Sequence, residues 1–148
     1  MPETLNIAEG LQALAAKVEA VKPNAGTERI LFVEDNEMIL ANGMEILADL
    51  GYKVKGAKDA AEAVQVLVDG FEPALLCCDI VIPGGMNGVE LSRQVTGLMP
   101  DIKVLLISGY GADLIDGAIS QDGFRLLSKP YTVDDLGSRI RNMLDDVL

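Results

Sequence analysis

The sequence contains no histidine. That absence excludes imidazole metal sites, Ser-His-Asp hydrolases and histidine phosphoacceptors together. Cysteine is nearly as scarce: Cys77 and Cys78 are the only two, adjacent in one apolar run. Neighbouring strand residues face opposite sides of a sheet, so a mutual disulfide is geometrically poor. They read as small buried hydrophobes, without the spacing of metal or redox ligands. Positive charge is short as well, with 12 Lys and Arg against 23 Asp and Glu and a formal net charge of −11. No stretch concentrates the cations, which leaves nucleic acid and anionic membrane surfaces without an electrostatic footing. No apolar run approaches membrane-spanning length, and no basic segment followed by an apolar one opens the chain. The expectation is a cytoplasmic protein that contacts neither nucleic acid nor membrane.

The chain has 148 residues, enough for one domain that buries roughly two-thirds of its unfolded surface. Its first 21 residues stand apart. Ile7, Leu11, Leu14, Val18 and Val21 recur at spacings of 4, 3, 4 and 3, the seam of a heptad repeat. Little more than two heptads are covered, so this helix either docks on its own domain or pairs with a second copy. "KPNAGTE" (22–28) reads as a linker. Residues 1–28 are therefore an N-terminal helix and linker, and 29–148 the main domain.

From Arg29 onward strands and helices alternate. "RILFVE" (29–34), "YKVKGA" (52–57), "ALLCCD" (74–79), "KVLLIS" (103–108) and "FRLLS" (124–128) read as strands. The third and fourth are near-continuous apolar runs, as in parallel strands covered on both faces. Helices are predicted over 36–51, 59–70, 87–100 and 132–144, with Asn36, Asp59 and Thr132 as N-caps and Gly51 and Gly70 beyond helix ends. A weaker helix over 109–124 carries Gly109, Gly111, Gly117 and Gly123, each interior glycine costing on the order of 1 kcal/mol against alanine. Five βα units demand a parallel sheet with right-handed crossovers. The fold class is α/β, a flavodoxin-like (βα)5 three-layer sandwich of strand order 2-1-3-4-5 with an extra N-terminal helix.

In such sheets ligands sit at the carboxyl ends of the strands. The first strand delivers Glu34 and Asp35 there, the third Asp79, the fourth Ser108 and the fifth Lys129. Two unit charges about 5 Å apart repel by roughly 3 kcal/mol at an effective dielectric near 20. Either one carboxyl group protonates or a cation holds the cluster. An all-oxygen donor set selects a hard ion, and partly hydrated Mg²⁺ fits it. An aspartate beside a cation, a hydroxyl and an ammonium can attack phosphorus and form an acyl phosphate, with the donors facing the transferring oxygens. Asp79 is the candidate acceptor, and the Pro83-Gly84-Gly85 turn is expected to carry the chain away from it. Taken singly, Glu34 or Asp35 reads as a helix N-terminal charge, Ser108 as a turn residue and Lys129 as a solvated lysine. Their coincidence at adjacent strand ends favours the joint reading.

"FVEDN", "CCDIVIPGGMNGVEL", "LLISGY" and "LLSKPY" together resemble the response-regulator (CheY-like) receiver domain of two-component signalling, from about Arg29 to Leu148. The resemblance implies that Asp79 is the phosphoacceptor, served by a histidine kinase or a histidine phosphotransfer protein. It implies that Asp35 binds Mg²⁺ directly, Glu34 binds it through water, and the Val81 carbonyl completes the ligands. Ser108 and Lys129 would contact the phosphoryl group, and the Lys129–Pro130 bond is expected to be cis. "PGGMNGVEL", "ISGY" and "KPY" are most similar to receivers of hybrid histidine kinases. The chain is then either such a C-terminal receiver or a stand-alone single-domain regulator. Activity of its own would be limited to autocatalytic phosphorylation and dephosphorylation, with output through protein contacts.

One position departs from the resemblance. Many members carry a switching aromatic three residues before the lysine, where this chain has Leu126. Tyr110 and Tyr131 are the candidate substitutes. The signal is expected on the face formed by the glycine-rich fourth βα helix, the fifth strand and the last helix. Self-association, if it occurs, would use that face or the N-terminal helix. Val81 and Tyr110 flank the path of a hydrolytic water, so their bulk is expected to lengthen the life of the acyl phosphate. A haloacid-dehalogenase-like phosphatase would need a second aspartate where Val81 stands. A flavodoxin-type cofactor binder would need a phosphate-binding loop where "EDNE" stands. A pseudo-receiver, retaining the residues but never phosphorylated, is the remaining rival.

Overall fold

The computed structural model describes residues 6–20, 28–109 and 123–145. An N-terminal helix α1 (Ile7–Ala20) leads into β1 (Arg29–Val33), α2 (Glu37–Asp49), β2 (Lys53–Ala57) and α3 (Ala60–Val68). β3 (Leu75–Asp79), α4 (Gly88–Leu98), β4 (Lys103–Ser108), β5 (Arg125–Ser128) and α5 (Val133–Asp145) follow. The strands make one parallel sheet in the order β2-β1-β3-β4-β5, as the alternation predicts. The glycine-rich helix expected between β4 and β5, with Tyr110, falls on residues outside those described, apart from its ends.

Local chemistry starts and stops the helices. The Asn36 side chain accepts from the Ile39 N–H at 3.0 Å and that of Asp59 from the Glu62 N–H at 2.9 Å. Thr132 and Asp135 cap α5 reciprocally, and Asn87 and Glu90 do the same for α4, each pair satisfying two otherwise unpaired N–H groups. Gly51 ends α2 at φ 104°, a left-handed conformation that only glycine adopts without strain. The Tyr52 N–H then reaches back to the Leu47 carbonyl at 3.2 Å, closing the last turn.

The core lies in two halves, one on each face of the sheet. Ile30, Phe32, Leu75, Cys77, Leu105, Ile107 and Leu127 pack beneath α2 and α5, against Leu47, Leu136 and Ile140. Their strand neighbours Leu31, Val33, Leu76, Cys78, Val104 and Leu106 pack beneath α3 and α4, against Val64, Leu67, Leu91 and Val95. Period two in the strands thus assigns each side chain its half.

The N-terminal helix docks on its own domain, against α3 and α4. Of the heptad seam, Leu14 is fully buried, and Ile7 and Leu11 are half-buried on the same core half. This explains why α3, "AAEAVQVLV", is apolar almost all round: it is covered on two sides. The side chain of Val18, Val21 and linker residues 22–27 lie outside the described residues. Among the described residues no helix is long and apolar enough to cross a membrane.

Leu14 supplies the test of this packing. Truncating a buried leucine to alanine costs about 2–4 kcal/mol when its surroundings cannot collapse. Leu14→Ala is therefore expected to lower stability by about that much in urea unfolding followed by circular dichroism. An unchanged midpoint would show that α1 does not hold this position in solution.

Candidate functional site

Period two also decides which polar side chains meet. Continuing β1, β3 and β5 by the alternation that puts Phe32, Cys77 and Leu127 under α2 and α5 brings Glu34, Asp79 and Lys129 to that same side. The ladder itself runs on past the strand ends. The Glu34 N–H reaches Ala57 O at 3.0 Å, the Ile80 N–H Ile107 O at 2.9 Å and the Lys129 N–H Ser108 O at 2.8 Å.

At the centre Lys129 Nζ donates to Asp79 Oδ2 at 2.6 Å and to Glu34 Oε1 at 3.2 Å. Both carboxylates are buried, Glu34 being 3% exposed and Asp79 8%. Each spends its second oxygen on a backbone donor. Asp79 Oδ1 accepts from the Val81 N–H and Glu34 Oε2 from the Asn36 N–H, both at 3.1 Å. Asp35 is exposed, and carboxylate oxygens of Glu34, Asp35 and Asp79 lie within 4.8 Å of one another. The Lys129–Pro130 bond is cis.

The crowding of charge expected from sequence is thus offset in part by the lysine. Burial pushes the Glu34 carboxyl above its ordinary range and the Asp79 charge adds to this, while the Asn36 N–H and Lys129 act against it. For Lys129, burial alone would lower the pKa. The hydrogen bond to Asp79 and the charges of Asp79 and Glu34 outweigh it, and the ammonium is held above its usual value. The thiols of Cys77 and Cys78 are pushed up by burial and then by the nearby carboxylates. Neither offers a thiolate ligand.

The other sequence candidates fall at different places. Ser108 is buried at the end of β4, the strand that lies between β3 and β5. It meets Lys129 through its backbone carbonyl. The Val81 side chain is 77% exposed, which fits a flank of the site open to water. Leu126 packs with the α3–α4 half of the core and Tyr131 with the α2–α5 half, so Tyr131 does not fill the place of a switching aromatic at 126. Burial, with the thiol and carboxylates nearby, pushes the half-buried Tyr131 phenol up to about 12.

One residue escaped the sequence reading. Gly88, the first of α4, is buried against the site. A Cβ there would land on the Asp79 carbonyl oxygen and within 2.9 Å of Ile80 Cα. Its φ is not positive, so it is not the left-handed glycine of a turn or of a helix C-terminus.

Replacing the shared cation tests the electrostatics. In Lys129→Met two buried carboxylates lose their partner, at a cost of roughly 3 kcal/mol near neutrality. Glu34 has a raised folded-state pKa, so the native state binds more protons than the unfolded chain and stability falls as pH rises above about 4.5. The variant loses a group that held that rise down. Its deficit against the wild type should therefore shrink as pH falls toward 4.5 and widen toward 8 in urea unfolding. A gap independent of pH would show that Lys129 does not compensate Glu34.

Residues 30–141 match the response regulator receiver domain family. The sensor kinase CckA of Brucella abortus (strain 2308) is 31% identical over 131 residues, which is 87% of this chain and 14% of that protein. The response regulator receiver protein CpdR of the same organism is 36% identical over 120 residues, 79% of this chain and 97% of its own length. Among solved structures, the CheY-like receiver domain protein from Methanospirillum hungatei JF-1 superposes with a TM-score of 0.75 at 30% identity, covering 82% of this chain and 96% of that one. The strand order, the acidic cluster and these matches agree, and the chain belongs to the response regulator receiver domain family of two-component signalling.

Proposed function

We propose that this receiver accepts a phosphoryl group on the Asp79 carboxylate from the phosphohistidine of a histidine kinase or histidine phosphotransfer protein. The observation that carries the reading is the placement of Asp79. It ends a buried strand with one oxygen on the Val81 N–H and the other on Lys129, beside two more carboxylates. In the transfer a carboxylate oxygen bonds to phosphorus, the donor's N–P bond breaks, and the imidazole keeps that electron pair and takes a proton. Lys129 exchanges its carboxylate contact for the incoming phosphoryl oxygens, and Ser108 contacts the same group. The donor set of Glu34, Asp35, Asp79 and the Val81 carbonyl suits Mg²⁺ in being all oxygen. Bound there, Mg²⁺ would supply positive charge against the phosphoryl oxygens.

The signal leaves through protein contacts, and we place the chain in a hybrid histidine kinase on the strength of its likeness to part of a sensor kinase. The match along nearly all of CpdR favours a stand-alone regulator as the second reading. The length of the native polypeptide on an immunoblot decides between them.

Intact mass after incubation with acetyl phosphate and Mg²⁺ tests the central reading. One phosphoryl group is expected on the wild type, and none on Asp79→Asn or without the metal. No gain under any condition would leave an unphosphorylated interaction module as the better account. Replacing Val81 and Tyr110 together by small polar residues should shorten the half-life of the acyl phosphate several-fold, by admitting water. An unchanged half-life would remove the shielding role of these side chains.

A further inference from the structure

We propose that Gly88 is a positioning residue for Asp79, setting the carboxylate through close contact between the start of α4 and the phosphoacceptor's own backbone. The proposal rests on the reading of Asp79 as acceptor.

Two covalent neighbours fix where a carboxylate points: the Cα it hangs from and the peptide that follows. The two peptides after Asp79 are gripped on all sides. The Ile80 N–H is held by the Ile107 carbonyl at 2.9 Å, and the Ile80 carbonyl accepts from the Gly88 N–H at 2.8 Å. The Cys78 thiol lies 3.2 Å from the Asp79 carbonyl oxygen, whose remaining side faces Gly88 Cα. From the second of these peptides the Val81 N–H turns back to Asp79 Oδ1 at 3.1 Å. A displacement of these peptides therefore re-aims both carboxylate oxygens relative to Lys129.

A methyl group at residue 88 would force such a displacement, because the other side of the contact is anchored. Leu91 and Val95 fix α4 in the core. The Asn87–Glu90 capping box fixes its first turn, and the buried Ser92 hydroxyl donates to the Gly88 carbonyl at 2.8 Å. Packed helices of this kind do not slide by half an ångström at low cost. The Asp79–Ile80 peptide is at the end of its strand, where the sheet hands over to a loop, and it yields first.

The test compares Gly88→Ala with Gly43→Ala in the same chain. A Cβ at Gly43 would meet Phe32 Cε2 at 2.5 Å, so it overpacks the α2–β1 contact without touching Asp79. Three quantities are read at matched temperature: the initial rate of phosphorylation by acetyl phosphate, the Mg²⁺ dissociation constant by calorimetry, and the metal-free amide shift of Val81. Gly88→Ala is expected to slow phosphorylation about tenfold or more, as misplacement of a reacting group by a fraction of an ångström does. It should also weaken Mg²⁺ and move the Val81 amide resonance. Gly43→Ala should lower the melting temperature while leaving the rate and the Mg²⁺ affinity within about twofold of wild type and the Val81 resonance in place.

A folded Gly88→Ala protein with wild-type rate, metal affinity and Val81 shift overturns the proposal, as does an equal loss in both variants. If Gly88→Ala does not fold, Ser92→Val carries the test. It removes the bond to the Gly88 carbonyl and thickens the same buried helix end. An unchanged rate and Val81 shift there also overturn the proposal. Failure of the functional reading is separately visible: wild-type protein would then gain no phosphate, while the Val81 shift and Mg²⁺ affinity would still report on Gly88.

Discussion

Two buried carboxylates share one ammonium group, and the placement of nearly everything around them follows from that need. Removing a carboxylate from water costs several kcal/mol, offset only when its oxygens find cations and N–H donors in good geometry. Glu34 and Asp79 stand side by side because β1 and β3 are adjacent and in register, Val33 opposite Cys78. The compensating charge comes from β5, two strands from β3 and so roughly 10 Å away. Only a long side chain crossing the end of β4 spans that gap. Gly109 follows β4 where a Cβ would already touch Lys129 Cδ, at 4.0 Å. The strand order and the register are conditions for a single ion pair.

That arrangement also fixes what the site can do. The four charged groups Glu34, Asp35, Asp79 and Lys129 leave an excess of negative charge at a spot about to receive more, if Asp79 accepts a phosphoryl group. Lys129 alone cannot balance three carboxylates and a phosphoryl group, so a hard cation and the donors at the strand ends are needed. Lys129 is also where the site meets the sheet, since its N–H is held by the Ser108 carbonyl and its side chain by Asp79. A change of partner at its Nζ is felt at the end of β4 and at the start of α5. The two aromatic options left by Leu126 are on different footings. Tyr131 belongs to the other half of the core, while Tyr110 lies outside the described residues.

What could be read from the sequence was what depends on period and on chain ends. Alternating runs gave the strands, caps such as Asn36 and Asp59 gave helix starts, and the βα alternation gave the sheet order, which together bring Glu34, Asp35, Asp79 and Lys129 to one edge. Sequence could not say that Lys129 binds both Asp79 and Glu34, because pairing across β4 depends on side-chain paths. The heptad spacing of Ile7, Leu11 and Leu14 was real but ambiguous. A two-heptad seam is the same pattern whether its partner is another copy or α3, and the apolar circumference of α3 was the overlooked hint. Gly88 was invisible for a third reason: its requirement is the absence of a Cβ next to the Asp79–Ile80 backbone, across the closed loop, and no local rule encodes that.

The loop from Asp79 to Gly88 joins these threads. The turn at Pro83-Gly84-Gly85 was expected to lead the chain away from the acceptor, and Gly84 indeed takes a positive φ of 100°, as the third position of a tight turn after proline requires. Yet the chain returns. Gly88 closes on Ile80 by a hydrogen bond and on the Asp79 carbonyl by contact, so the excursion is a compact loop whose ends touch. A loop closed in this way leaves its tip free while holding its base. Val81, near the base, keeps its N–H on Asp79 Oδ1 while its side chain stands in water. The base cannot move without disturbing the carboxylate, because the backbone that carries the Asp79 side chain also receives the start of α4.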